Sequence, residues 1–311
     1  MRWHGLLVMA AWGATAQTPT FRADANLALV RFQVNLKNGD PVTNLKPDDI
    51  QLLEDGVPQK IVLLEGGNRT RTVPVDITLL FDCSGSVRFA GLLNPKVFRD
   101  SLLNDHKNIR LGISVFSDDW KKLTDPTRDP EAMAEAAHGV LNFRSGTTAL
   151  YESVVETLRD MEARPASGVR MLVILSDGEQ TEGDELHRFE AIRVSQRAGI
   201  SIFPVLVSGP GLTYRTDSNR ALSSALRKGK ATYNQAEYLS LADETGGRSF
   251  PARGDDVVGD TLQWIQKQNR LDYVAGFEPA PSEKPSFHKV KIVLTKPSRG
   301  EVIGGVRLLQ H

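Results

Sequence analysis

The sequence predicts an α/β fold in which a doubly wound, mainly parallel sheet is flanked by small β segments at both ends. Strand-like and helix-like patterns alternate from residue 73 to residue 269, and such alternation is typical of a parallel sheet covered by helices. Residues 75–81 form a nearly continuous apolar run, which indicates a strand buried on both faces. Residues 25–67 and 270–311 instead show patterns typical of antiparallel strands.

The composition is that of a globular protein with more than one folded unit. The chain has 311 residues, so we expect a main domain with smaller appendages. Lysine plus arginine and aspartate plus glutamate number 38 each, and the resulting net charge of zero argues against a nucleic-acid binder. The single cysteine, Cys83, excludes an internal disulfide and is expected to be a small buried residue rather than a reactive thiol.

The first residues have the pattern of an export signal. Arg2 and His4 precede the apolar stretch 5–13, and Ala14-Thr15-Ala16 has the small-x-small form of a cleavage site. We therefore expect a signal peptide over residues 1–16 and a protein that is secreted or held in the periplasm or cell envelope. No later apolar run reaches the roughly 18 residues needed to cross a bilayer, so no membrane span is expected in the mature chain.

Residues 25–67 are predicted to form a small antiparallel β domain. From residue 30 to residue 36 every second side chain is apolar, as in a strand with one buried face. The segments 50–54 and 61–64 flank Asp55-Gly56. We expect them to pair as a hairpin with a type I′ turn.

Residues 73–269 are predicted to form the α/β domain. Its strands are expected at 75–81, 109–116, 169–175 and 200–207, with a short partner near 120–123 and a last strand from Ser249. Pro204 removes one ladder hydrogen bond and favours an edge or irregular position for its strand. Helices are expected from Asp129, which precedes Pro130 as a cap, and over 150–161, 185–198, 236–245 and 255–269.

Residues 270–311 return to β patterns. Strands are expected at 271–277, 288–294 and 302–309. This C-terminal segment and the N-terminal β domain both lie outside the α/β core, so the two are candidates for pairing with each other.

Oxygen-bearing side chains follow the first strand of the α/β domain. Asp82, Ser84 and Ser86 recur at every second position, so in extended backbone they project to one side. Carboxylate and hydroxyl oxygens are ligands that Mg²⁺ accepts at about 2.0–2.1 Å. The pattern therefore indicates the beginning of a metal site.

Two further segments are expected at the same rim. Asp177 follows the strand 169–175, and the carboxyl ends of parallel strands share one edge of the sheet, where such folds bind ligands. Between the two aspartates, the segment 144–150 leads into a helix and offers the hydroxyl of Thr147 beside Gly146. Taken alone, Thr147 and Thr148 are more typical of a helix cap. Their conjunction with the two aspartates favours a metal site.

These motifs resemble those of a von Willebrand factor A domain with a metal-ion-dependent adhesion site. The resemblance implies that Ser84 and Ser86 bind Mg²⁺ directly and that Thr147 does so in the ligand-competent state. It implies that Asp82 and Asp177 bind directly or through water. Both flanks also resemble those of an exported bacterial class related to this family and common in acidobacteria, through Asn38-Gly39-Asp40-Pro41, Glu54-Asp55-Gly56, Tyr273-Val274-Ala275-Gly276-Phe277 and Gly304-Gly305.

The resemblance implies a non-enzymatic module for protein binding or adhesion. A cation that keeps an open coordination position would accept an Asp or Glu side chain of a partner protein. The resemblance also implies that the last helix, 255–269, moves when ligand binds. Mg²⁺ is favoured, while Mn²⁺ and Ca²⁺ remain possible because hard oxygen ligands accept all three.

Two other functions stay open at this stage. A metal-dependent hydrolase or phosphatase would need a general base beside the metal, for which Glu179 is the nearby candidate, and Ser84 stands where an aspartyl-phosphate enzyme usually has a second acid. A structural domain with a vestigial site is the other alternative. Asp118-Asp119 is expected to be a solvated turn, and the histidine and cysteine spacings do not favour zinc.

Overall fold

The computed structural model describes residues 27–69, 71–87, 107–165, 168–184, 186–207, 232–252, 257–280, 286–297 and 300–310. The expected signal peptide, 1–16, lies outside these residues. The strands are β1 (Ala28–Asn35), β2 (Ile50–Glu54), β3 (Val57–Gln59), β4 (Leu63–Gly66), β5 (Val75–Asp82), β6 (Ile109–Phe116), β7 (Trp120–Thr127), β8 (Val169–Ser176), β9 (Ile200–Val207), β10 (Phe250–Ala252), β11 (Tyr273–Phe277), β12 (Phe287–Leu294), β13 (Glu301–Gly304) and β14 (Val306–Gln310). The helices are α1 (Pro130–Leu141), α2 (Leu150–Ala163), α3 (Leu186–Ala198), α4 (Tyr233–Thr245) and α5 (Val257–Leu271), and a short 3-10 helix spans Pro47–Asp49.

A mainly parallel sheet forms the centre of the molecule, which confirms the predicted fold class. Its order is β10-β9-β8-β5-β6-β7, and β7 alone among these strands runs antiparallel to its neighbour. Strand β5 is central and pairs in parallel with β6 on one side and β8 on the other, with Phe81 opposite both Val115 and Leu175. The chain therefore reverses its winding direction at β5.

Helices cover both faces of this sheet, as the doubly wound prediction requires. On one face, α1 and α5 bury residues such as Met133 and Leu262 against Ile77 and Phe81 of β5. On the other face, α2, α3 and α4 pack over Leu80 and its neighbours. Each fully buried aliphatic or aromatic side chain contributes about 1.5–3 kcal/mol to folding, so packing on both faces stabilises β5 in the centre of the sheet.

Helix starts follow local capping chemistry. The side chain of Asp129 accepts a hydrogen bond from the Glu131 N–H at 2.9 Å, with Pro130 as the first residue of α1, which agrees with the prediction. Helix α4 begins three residues before the predicted start, because Thr232 and Gln235 form a capping box there.

The position of β9 differs from the prediction. Of the edge or irregular position expected from Pro204, the edge position is wrong, since β9 lies between β8 and β10. Pairing with β10 begins only at Val205. Pro204, which has no backbone N–H, therefore lies just before the part of β9 that pairs with β10.

Strands from both chain ends combine into two antiparallel sheets. Their orders are β13-β1-β11-β4 and β14-β12-β2-β3, and one hydrophobic core joins them, including Val30, Phe32 and Tyr273 from the first sheet and Leu52 and Ile292 from the second. The segment 25–67 therefore shares both of its sheets with the C-terminal strands rather than forming a sheet of its own.

The hairpin at Asp55-Gly56 has the predicted turn but a different second strand. Both residues have positive φ, 48° and 85°, as a type I′ turn requires. Strand β2 returns into β3 (57–59) rather than into 61–64. The chain beyond β3 instead supplies β4, whose Leu64 lies opposite Ala275 of β11.

A buried ionic cluster joins the sandwich formed by the two antiparallel sheets to the α/β domain. Asp272 follows α5 directly and forms ion pairs with Arg31 of β1 and, at 3.0 Å, with Arg248. Arg71 donates to the backbone carbonyl of Asp272 at 2.9 Å.

In the part of the chain that the structure describes, no helix is long and apolar enough to cross a membrane.

Candidate metal centre

The candidate site lies at the carboxyl rim of the central sheet, next to the strand where winding reverses. Asp82 ends β5 and Ser176 ends β8, and these two strands are neighbours. Folds of this type bind ligands in the crevice at such a reversal. The topology therefore brings the segments after β5 and β8 together, as the sequence predicts.

Asp82 is a buried carboxylate held by hydrogen-bond donors. Its exposed fraction is 0%, its Oδ1 accepts the Ser84 N–H at 2.9 Å, and its Oδ2 accepts the Ser176 hydroxyl at 2.6 Å. Burial raises the pKa of Asp82 to about 6, the donors of Ser176 and Ser84 oppose this rise, and the charge of Asp177 adds to it. None of these groups is a cation. The described residues therefore give an ionised Asp82 no counter-charge, and a divalent cation would supply one.

Ser84 and Ser86 present their hydroxyls together. Their Oγ atoms are 3.2 Å apart, with Ser84 buried and Ser86 exposed. Neighbouring ligands of an octahedral Mg²⁺ lie about 2.9 Å apart, given metal–oxygen distances of about 2.0–2.1 Å. The pair thus has a spacing that suits one small hard cation.

Asp177 lies at the same rim, beside Asp82. It is half-buried, and its Oδ1 accepts the Glu179 N–H at 3.1 Å. Its charge contributes to the raised pKa values of both Asp82 and the buried Tyr238, for which burial is the largest cause. The charge of Asp177 therefore acts on Asp82, although the two residues follow different strands.

The loop that carries Thr147 docks against the turn after β5. The Gly85 N–H donates to the Gly146 carbonyl at 3.2 Å. A Cβ at Gly146 would lie 2.3 Å from Asp118 Oδ1, so a larger residue there would have to displace the Asp118 side chain. The Thr147 hydroxyl itself donates to the carboxylate of Glu182.

Thr147 and Thr148 do not cap the following helix. The N-cap of α2 is Ala149, whose side chain makes no capping bond. The Tyr151 N–H donates instead to Gln180 Oε1 at 3.1 Å, and the Thr148 N–H donates to Thr181 Oγ1 at 2.9 Å. The 178–184 loop therefore caps α2 from outside and ties two segments of the site together.

Sequence reasoning missed the supporting residues of the site. Ser176 directly precedes Asp177, yet its hydrogen bond to Asp82 joins positions 94 residues apart. The segment 147–151 likewise donates hydrogen bonds to the side chains of Gln180, Thr181 and Glu182. Only their place directly after Asp177 could have drawn attention to them.

A family model agrees with this geometry. The model for the von Willebrand factor type A domain matches residues 76–244. The chain belongs to the von Willebrand factor type A (VWA) family. No curated protein matches the sequence significantly.

Solved structures with a similar fold come from several organisms. A von Willebrand factor type A protein from Catenulispora acidiphila has 12% identity and a TM-score of 0.46, over 93% of this chain and 75% of that chain. An aerotolerance-related membrane protein from Bacteroides fragilis NCTC 9343 has 19% identity and a TM-score of 0.42, over 62% of this chain and 99% of that chain. Manganese-loaded TRAP protein from Plasmodium vivax has 12% identity and a TM-score of 0.39, over 84% of this chain and 96% of that chain.

The donor set of this VWA domain fits a hard cation. All five candidate side chains offer oxygen, and three of them are hydroxyls. Among the described residues, no group of three or more His, Cys, Asp or Glu side chains has a metal-binding arrangement. The oxygen-rich set suits Mg²⁺, Mn²⁺ or Ca²⁺ better than zinc, which usually takes nitrogen or sulfur ligands.

Other polar residues near the rim of the VWA domain have separate partners. The carboxylate of Glu179 accepts hydrogen bonds from Thr232 at 2.6 Å and from Asn234 at 3.0 Å. Asp118 forms an ion pair with Arg144 at 2.6 Å. The Cys83 thiol points toward backbone carbonyls, and burial raises its pKa to about 12. Glu179, Asp118 and Cys83 each have partners within the chain.

Proposed function

We propose that this VWA protein is an exported, non-enzymatic module that binds a partner protein through a divalent cation. The ligands are Asp82, Ser84, Ser86, Thr147 and Asp177, and the cation is Mg²⁺, with Mn²⁺ or Ca²⁺ as substitutes. The observation that carries the proposal is the pair of hydroxyls 3.2 Å apart beside a buried carboxylate for which the described residues supply no counter-charge.

The chain's own residues orient the site before any ligand arrives. Ser176 and the Ser84 N–H fix both oxygens of Asp82, and the Glu179 N–H fixes one oxygen of Asp177. A bound cation supplies a Lewis-acid position for an oxygen anion. The partner is therefore a protein that presents an Asp or Glu side chain.

A binding module accounts for the rim better than a hydrolase does. A hydrolase needs a general base within hydrogen-bond reach of the attacking water. Glu179, the candidate for that role, is held by Thr232 and Asn234 at the start of α4. Ser84 has no acidic function that could protonate a leaving group.

Calorimetric titration of Mg²⁺ and Mn²⁺ into the full chain tests the metal site. The wild-type protein is expected to bind one equivalent, and Ser86→Ala is expected to weaken binding roughly tenfold or more. Ser286→Ala is the matched control, since it removes an exposed hydroxyl that hydrogen-bonds to His288, remote from the rim. Equal metal affinity of the wild type and Ser86→Ala would contradict the proposed ligand set.

Export is tested separately. The proposal expects the protein isolated from the cell envelope or medium to begin directly after residue 16, because Ala14-Thr15-Ala16 has the form of a cleavage site. N-terminal sequencing measures this directly. An uncleaved protein found only in the cytoplasm would contradict it.

A further inference from the structure

Glu182 contacts one of the proposed ligands. Its carboxylate accepts a hydrogen bond from the Thr147 hydroxyl. Both residues are exposed, so packing alone does not force this contact. An acidic side chain of this chain therefore contacts a hydroxyl that the proposed function assigns to the cation.

Backbone hydrogen bonds hold Glu182 in that place. The N–H groups of Thr181 and Glu182 both donate to the Thr148 carbonyl, at 3.1 and 3.2 Å, and the Thr148 N–H donates back to Thr181 Oγ1 at 2.9 Å. Gly183 follows with a φ of 100°, a conformation that glycine adopts without strain. The contact with Thr147 is thus built into the 178–184 loop.

The negative charge of Glu182 affects how strongly the site attracts a further anion. Asp82 and Asp177 together balance a divalent cation, so a third carboxylate at Thr147 reduces the attraction of the site for any further anion. We propose that Glu182 is an internal acidic ligand of this site, which the carboxylate of a partner must displace. This inference rests on the proposed function.

Removal of the Glu182 charge therefore has two opposite effects. The metal binds more weakly, because the site loses a negative oxygen. An external carboxylate binds more tightly, because it no longer competes with an internal one.

Mn²⁺ binding to the full chain, with acetate as the carboxylate probe, tests this inference. Water-proton relaxation reports how many exchangeable waters remain on bound Mn²⁺. Glu182→Gln is expected to raise the Mn²⁺ dissociation constant roughly tenfold, to add an exchangeable water and to lower the acetate dissociation constant.

Glu179→Gln is the matched control. It removes the same charge from the same loop, but its carboxylate contacts Thr232 and Asn234 instead of Thr147. The inference is overturned if Glu182→Gln leaves hydration and acetate binding unchanged, or if Glu179→Gln changes them equally. A wild-type protein that binds no Mn²⁺ would instead refute the proposed function, and the inference with it.

Discussion

At the scale of single residues, the site depends on one buried carboxylate and on the groups that hold it. Asp82 is fully buried, and each of its oxygens receives a hydrogen bond from a different segment of the chain. Hydrogen bonds to a charged group stabilise more than neutral ones do. The residues that orient Asp82 should therefore matter as much as the ligands themselves.

Ser176→Ala tests this view. The hydroxyl of Ser176 donates to Asp82 Oδ2 and accepts the Gly178 N–H at 3.0 Å, so its removal breaks one hydrogen bond to each of two buried groups. We expect the free energy of unfolding to fall by about 1.5–3 kcal/mol and the Mg²⁺ dissociation constant to rise roughly tenfold. Urea unfolding and calorimetry measure the two effects.

Ser195→Ala is the control for that variant. Ser195 is equally buried, but its hydroxyl donates to the neutral Ile200 carbonyl far from the rim. It should lower stability without changing metal affinity. If Ser176→Ala, like Ser195→Ala, lowers stability without changing metal affinity, Ser176 does not orient the site.

At the scale of elements, one loop supports two segments of the site. The 178–184 loop follows Asp177, caps α2 through Gln180 and holds Thr148 through Thr181. A change in this loop should therefore affect both helix stability and the site, whereas a change at an ordinary helix cap should affect stability alone.

Gln180→Ala and Asp129→Ala form a matched pair for this prediction. Each removes the side chain that accepts a first-turn N–H, of α2 and α1 respectively. Each should cost about 1 kcal/mol of stability. Only Gln180→Ala should also speed hydrogen exchange at the Tyr151 amide and weaken Mg²⁺ binding, and equal metal affinity in the two variants would contradict the coupling.

The elements also show what sequence patterns can predict. Periodicity and caps located β5, α1 and the strand ends that carry Asp82 and Asp177, because those signals are local. The hairpin partner of β2 was wrong, because an alternating pattern such as that at 61–64 fits several neighbours equally well. The contacts of Ser176 and Glu182 were not predicted, since hydrogen bonds between distant loops leave no periodic trace.

At the scale of the whole molecule, a buried charge cluster joins the two chain ends to the VWA domain. Burial lowers the pKa of Arg31, Asp272 opposes this effect, and the guanidinium of Arg31 lies 5.8 Å from the centre of the Phe203 ring of β9. Asp272 stands directly after α5. Any movement of α5 on ligand binding, as the resemblance implies, would have to move this carboxylate against two arginines.

Asp272→Asn tests how strongly this cluster joins the parts. The substitution leaves Arg31 buried without its counter-charge, and breaking a buried pair in this way costs about 3–5 kcal/mol. Glu156→Gln is the control, because Glu156 and Arg159 form an exposed pair at 2.8 Å, and such pairs contribute about 1 kcal/mol or less. Hydrogen exchange followed in both β1 and β8 should show that Asp272→Asn lowers protection in the sandwich and in the central sheet together. If only β1 loses protection, the cluster stabilises the sandwich alone and does not couple it to the domain that carries the site.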